Sequence, residues 1–325
     1  MLKGLSSVAQ THSKPTQKEC CGAARNSAAA VAPLVSLPKT ERRLAHDAVP
    51  IPGGAALVGT KNPQISDDGE GPTRTVHLKP FHIGASVVTN VAFAAFIKAT
   101  GYVTEAEGFG WSFVFWSQVP ENYGPTEGVV EFEWWRRISG ATWTAPNGPG
   151  TEAACLPDHP AVHVSWNDAR AYCNWVGGRL PSEAEWEQAA RAGLGDMRFP
   201  WGNAEPDDTN HAPCNIWQGR FPETNTGYDG YITTAPAQSF EPNGYGLYNM
   251  VGNVWEWTAD PFRIRSLKRH VKRRLQGMPG YKVSKGGSFL CHRSYCYRYR
   301  IAARSGTSPD SSTTHQGFRV VWNFE

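Results

Sequence analysis

GGSFLCHRSYCYRYRIAARSG, residues 286–306, sets Cys291 and Cys296 five positions apart, with His292, Arg293, Ser294 and Tyr295 between them. The chain has only 7 Cys in 325 residues, so two of them here need a reason. On a strand, residues five apart point to opposite sides, and on a helix they lie well over a quarter-turn apart. If the two thiols act together, HRSY must turn. The spacing differs from the CxxC of thioredoxin-like proteins, although a short redox loop stays open. Zinc is disfavoured because no second cysteine pair lies nearby in sequence. Two thiolates alone suit a soft ion that accepts two-coordination, Cu(I) above all. Arg293, Arg298, Arg300 and His292 would add positive potential and favour thiolate. The bland reading is that both cysteines are small buried residues, and spacing alone leaves that open.

Outward from this stretch, composition sets bounds. Apolar residues at 40 % and charged residues at 19 % describe a globular chain, and a net charge of +3 gives no argument for nucleic acid. Thirteen Trp, 33 Gly and 24 Pro point to irregular backbone held by aromatic packing. No apolar run is long enough to cross a bilayer, and the N-terminus lacks a secretory apolar core. An odd cysteine count agrees with a reducing, cytoplasmic setting.

Residues 1–48 read as a flexible leader, and 49–325 as one catalytic-sized domain. The alternation of RTVHLKPFHIG (74–84) predicts a strand. Three helices are expected. TNVAFAAFIKATG (89–101) has Thr89 or Asn90 as cap, Gly101 as stop, and Phe93, Phe96 and Ile97 on one face. SWNDARAYCNWVGG (165–178) starts at Ser165 with Ala169, Tyr172, Cys173 and Val176 on one stripe. PSEAEWEQAARAG (181–193) carries a capping box, Ser182 with Glu185. RIRSLKRHVKRRL (263–275) holds seven Lys or Arg, with Ile264, Leu267, Val271 and Leu275 able to line a helical face. It reads as a solvated insertion or as a docking surface for an acidic partner.

The segment KGGSFLCHRSYCYRYRIAARSGTSPDSS (285–312), followed by GFR (317–319), resembles the active-site signature of the formylglycine-generating enzymes, the sulfatase-modifying-factor family. The likeness runs from about residue 50 to the C-terminus. It includes SDDGEGPTRTV, ATGYVTEAE, HPAVHVSWNDA, RLPSEAEWE, FPWGN and PNGYGLYNMVGNVWEWT. The resemblance implies a mixed α/β (α+β) domain of low regular structure, with the C-type-lectin-like fold of that superfamily. It implies an oxidase that converts the cysteine of a CxPxR motif in an unfolded sulfatase to Cα-formylglycine with O2. By that resemblance Cys291 and Cys296 would hold Cu(I), and the substrate thiol would join the same ion. Ser288 would position oxygen or water, and His292 and Arg293 would stand near the substrate or serve only packing and solubility; Trp255 packs on the neighbouring loops or walls a peptide groove. Two structural Ca2+ sites are implied as well. Asn215, Asp229 and the carbonyls of Ile216 and Tyr231 make the first; Asn249, Glu256 and the carbonyls of Gly252 and Val254 make the second. Read without the resemblance, both loops are Asx-turns. A monomer acting on a peptide, with neither nucleic acid nor membrane as partner, completes the expectation.

Some members of the family carry extra disulfides. Here Ala190, Ile301 and Val320 stand where bridging partners would be, so Cys155, Cys173 and Cys214 read as free thiols. A non-catalytic peptide-binding module and a thiol–disulfide oxidoreductase are the competing functions. An iron sulfoxide synthase of the wider superfamily would need an additional helical domain. One leader motif stands apart: CGAAR (21–25) has the form CxAxR, close to the substrate's CxPxR. It is either coincidence or a mimic of substrate, in cis or in a neighbouring chain.

Overall fold

A computed structural model describes residues 23–25, 47–129 and 132–324. Short strands gather into four small sheets among the described residues. In one, Phe81–Gly84 lies between Ala48–Ile51 and Val321–Asn323, antiparallel to both, so the two ends of the domain meet. Gly54–Val58 and Arg74–Leu78 form an antiparallel pair. The expected strand over 74–84 is thus two strands in two sheets. Pro80, which has no N–H to give a ladder, stands at the break.

Phe132–Ser139 runs between Trp111–Phe115 and Glu127–Val129 in a third sheet. The fourth has the order Ser305–Thr307, Lys282–Lys285, Trp255–Pro261, Gln316–Gly317, and its last pairing is parallel. This sheet brings the residues flanking the cysteine stretch against the WEWT strand.

The three expected helices form at Asn90–Thr100, Trp166–Trp175 and Glu183–Arg191. Thr89, Ser165 and Ser182 cap them, and the last two close reciprocal capping boxes with Asp168 and Glu185. A short helix, Glu105–Phe109, has its own box from Thr104 and Glu107. The basic segment is helical only over Arg269–Gln276. It docks on the loop at 66–70: Lys268 and His270 meet Asp67, Arg274 meets Asp68, and Val271 is buried, while Leu267 stays exposed.

With so little ladder, indole N–H groups tie loops to strands. Trp166 donates to the Thr258 carbonyl at 2.8 Å, Trp257 to Val164 at 3.0 Å and Trp322 to Val176 at 3.1 Å. Two large apolar clusters result. One surrounds Trp257 and Cys173; the other contains Trp186, Trp255, Tyr299 and both Cys291 and Cys296.

Candidate active site

The turn demanded by the cysteine spacing is present. The His292 carbonyl accepts from the N–H groups of Tyr295 (3.0 Å) and Cys296 (2.8 Å), and the Ser288 carbonyl accepts from Cys291 N–H at 2.9 Å. Two successive bends fold the chain back on itself. The Sγ atoms of Cys291 and Cys296 come to 3.1 Å, each residue 1 % exposed. That separation exceeds the roughly 2.05 Å of a disulfide, so the two stand as facing thiols in hydrogen-bond contact with no disulfide between them. The two sulfurs thus converge as the paired-thiol expectation requires, within the buried apolar cluster that the bland reading also expects.

A small hollow of about 10 Å³ adjoins the sulfurs, lined by Trp134, Trp135, Phe221, Ser288, Leu290, Tyr295 and His315 as well. Phe221 stacks on Tyr295 with centroids 4.1 Å apart, and Trp134 meets both rings edge-on. Ser288 is fully buried, its Oγ 2.8 Å from His315 Nδ1, and the His315 ring packs against Trp135 at 4.7 Å. One wall of the hollow can thus exchange a proton between a hydroxyl and an imidazole, while the others exclude water. A much larger cavity of about 750 Å³, near Tyr172, Trp175 and Pro236, shares no lining residue with the thiols.

The expected positive field is largely cancelled. Arg298 reaches Cys296 Sγ at 3.9 Å, yet it is paired at 2.7 Å with buried Asp68. Arg300 is held by both carboxylate oxygens of Glu70. Burial pushes Glu70 up, but the Arg300 hydrogen bonds and charge outweigh it and leave the group below its ordinary value. These arginines pin the C-terminal end of the cysteine loop to the 66–70 segment rather than charging the pocket. Arg293 is exposed at the tip of the turn; His292 is half-buried, with Nδ1 2.7 Å from Ser294 Oγ and Nε2 3.4 Å from Asp208.

Trp255 is 1 % exposed inside the core cluster and does not line the hollow beside the thiols, so of its two readings packing is the one observed. The aromatic wall of the pocket comes from Trp134 and Trp135 on the Phe132–Ser139 strand and from Phe221, none of which the sequence reading singled out. His315 was also missed. Its only signal was its place two residues before the GFR run.

The two loops expected to hold calcium differ. Asp229 accepts from Ile216 N–H, Gln218 Nε2 and Tyr231 N–H, each at 3.0 Å, and has no basic ion-pair partner among the described residues. Burial raises its carboxyl above the ordinary range, as expected of an anion lacking a counter-charge. Such a carboxylate among loop carbonyls fits a hard cation. Glu256 is different: Arg319 grips both its oxygens (2.6 and 2.7 Å), Trp186 Nε1 donates at 2.8 Å, and acid and base are both buried. Asn249 Oδ1 is buried without a hydrogen-bond partner, but the neutralised Glu256 does not fit a further divalent charge. The loops interlock at Gly252, where a Cβ would meet the Asn215 carbonyl at 2.5 Å.

Residues 35–324 match the sulfatase-modifying factor enzyme 1-like domain. The chain belongs to the sulfatase-modifying-factor family. It is 52 % identical over 290 residues to the formylglycine-generating enzyme of Thermomonospora curvata, covering 87 % of this chain and 95 % of the relative. The Bos taurus enzyme of the same name is 50 % identical, covering 84 % and 74 %. A Bos taurus relative named inactive Cα-formylglycine-generating enzyme 2 is 43 % identical, covering 84 % and 87 %. Among solved structures, PvdO from Pseudomonas aeruginosa superposes with a TM-score of 0.60 at 25 % identity, covering 89 % and 99 %. The expected family fold, mixed helix and strand with little regular structure, is therefore the one observed.

Proposed function

We propose that this member of the sulfatase-modifying-factor family oxidises the cysteine of a CxPxR motif in an unfolded sulfatase to Cα-formylglycine, using O2 and a Cu(I) ion held by Cys291 and Cys296. The observation that carries the reading is the pair of buried thiols 3.1 Å apart at the floor of an aromatic pocket. Because a relative named inactive shares 43 % of its residues, identity alone does not decide activity, and the reading rests on the thiols.

When bound, a soft monovalent ion would supply the electrons that start O2 reduction. The chain's own residues do the rest. The His292 carbonyl fixes the turn that converges the sulfurs. Trp134, Trp135, Phe221 and Tyr295 keep bulk water from the reacting carbon. Ser288 and His315 hold a proton at the Oγ–Nδ1 contact and can pass it to a reduced oxygen atom. Converting the substrate's thiomethyl group and water to an aldehyde and hydrogen sulfide releases two electrons, whereas full reduction of O2 takes four. The remaining two come from an external thiol, and water is the other product.

Ca2+ is proposed for the Asp229 loop only, with Asn215 and the carbonyls of Ile216 and Tyr231, as a brace for irregular backbone. A reducing, cytoplasmic setting and a monomeric state remain part of the proposal. Three buried or half-buried unpaired cysteines, Cys155, Cys173 and Cys214, support the former. Among the described residues, no helix is long and apolar enough to cross a membrane.

The test is anaerobic loading with Cu(I), addition of a CxPxR peptide, admission of air, and mass spectrometry. Loss of the elements of hydrogen sulfide from the peptide and gain of one oxygen, with a new hydrazide-reactive carbonyl, is the expected result. A thiol–disulfide oxidoreductase would instead turn over without copper or O2.

A further inference from the structure

The leader is joined to the domain at Ala23–Arg25. Ala23 is 1 % and Arg25 4 % exposed. The Arg25 guanidinium lies over the rings of Phe109 and Trp111, 4.3 and 4.5 Å from their centroids. It donates to the carbonyls of Asp310 (2.9 Å) and Trp111 and to Ser312 Oγ (3.2 Å). Ser311 Oγ donates to the Ala23 carbonyl. A planar fork between two rings, meeting three oxygens, is a socket for arginine rather than for lysine. Burial lowers its pKa to about 10, while Asp310, Glu105 and Asp168 oppose the shift, so the group stays charged.

The other end of the tripeptide points to the chemistry. Ala23 belongs to the apolar cluster of Phe113, Phe115, Trp135, Trp217, Phe289 and Leu290. Trp135 and Leu290 also line the thiol pocket. The docked leader therefore runs from an arginine socket to the wall of the candidate active site. Ala23 and Arg25 are the third and fifth residues of CGAAR, the spacing at which CxPxR carries its proline and arginine. Cys21 lies outside the described residues.

We propose that the leader is a built-in pseudo-substrate: Arg25 occupies the socket that receives the arginine of CxPxR, Ala23 takes the place of its proline, and the leader competes with substrate in cis. This rests on the function proposed above. A tether holds its ligand at an effective concentration of roughly millimolar, so modest intrinsic affinity suppresses binding of dilute substrate.

The test compares the full-length chain with Arg25→Ala and Arg25→Lys in steady-state kinetics on a CxPxR peptide. Arg25→Ala should lower KM about ten-fold with little change in kcat, and Arg25→Lys should fall between the two. A synthetic peptide of residues 18–28 should inhibit the Arg25→Ala enzyme competitively, and the same peptide with its arginine replaced should not. An unchanged KM, or a lower melting temperature with no change in KM, would make the tripeptide a structural strap and overturn the proposal. If no form turns over any peptide, the assigned chemistry fails, but anisotropy of a fluorescent 18–28 peptide still decides. Binding about ten-fold tighter to Arg25→Ala than to the unaltered chain supports the pseudo-substrate, and equal binding overturns it.

Discussion

Cys173 and the Cys291–Cys296 pair are equally withdrawn from water, each residue 1 % exposed, yet they are different chemical objects. Cys173 sits on the Trp166–Trp175 helix among Phe93, Phe96, Tyr172, Phe318 and Val320. Burial dominates its surroundings and pushes its thiol far above the ordinary range. It is a small apolar filler. Cys291 and Cys296 share their burial with each other, with the Arg298 guanidinium and with the Ser288–His315 contact. Withdrawal from water makes a thiol inert; withdrawal beside a second thiol and a proton carrier is what the proposed copper site requires.

The largest effect should come from breaking the pair. Cys291→Ser and Cys296→Ser should each reduce peptide turnover by about a thousand-fold or more. Each should also abolish tight Cu(I) retention, measured by competition with a chromophoric chelator. A variant that keeps its turnover would place the chemistry elsewhere.

Next comes the clamp on the cysteine loop. Glu70→Gln leaves Arg300 buried without its anion and should cost about 3 kcal/mol in urea denaturation. Because the folded-state pKa of Glu70 is depressed, its stabilisation is present above the unfolded value and is lost as pH falls through the folded one. Urea midpoints of the unaltered chain should thus fall away below about pH 4.5, and Glu70→Gln should show a flatter profile.

Ser288→Ala and His315→Ala should lower turnover about ten- to a hundred-fold with circular dichroism and copper retention preserved. Loss of copper in either would make that residue a determinant of the metal site rather than a proton carrier. The smallest effect tests the other side of the contrast. Cys173→Ser puts a hydroxyl into an apolar cluster and should cost about 1–2 kcal/mol of stability, with specific activity unchanged. A fall in activity without loss of stability would mean that Cys173 is not mere filling.

What the sequence made legible follows from range. The Ser182–Glu185 capping box is written within four residues and forms as expected, and Ser165 starts its helix as expected while closing a box with Asp168 that the reading did not name. The bend between Cys291 and Cys296 follows from parity: five positions cannot converge without a turn. Longer-range facts were hidden. Arg298 and Arg300 read as sources of positive potential because nothing nearby discloses that Asp68 and Glu70, some 230 positions away, cancel them. WEW at 255–257 and WW at 134–135 look alike as strings. Only their sheets decide that the second pair borders the hollow beside the thiols and the first does not. The split of residues 74–84 was announced by Pro80, and alternation on either side concealed it.

The cysteine bend is held on one flank by residues 68 and 70, while the domain closes where Ala48–Ile51 and Val321–Asn323 share a central strand. A nascent chain emerging from the ribosome therefore carries its amino-terminal anchors long before the bend they secure has been synthesised. A fragment lacking Val321–Asn323 would hold every reactive atom and still lack the strand that closes the frame.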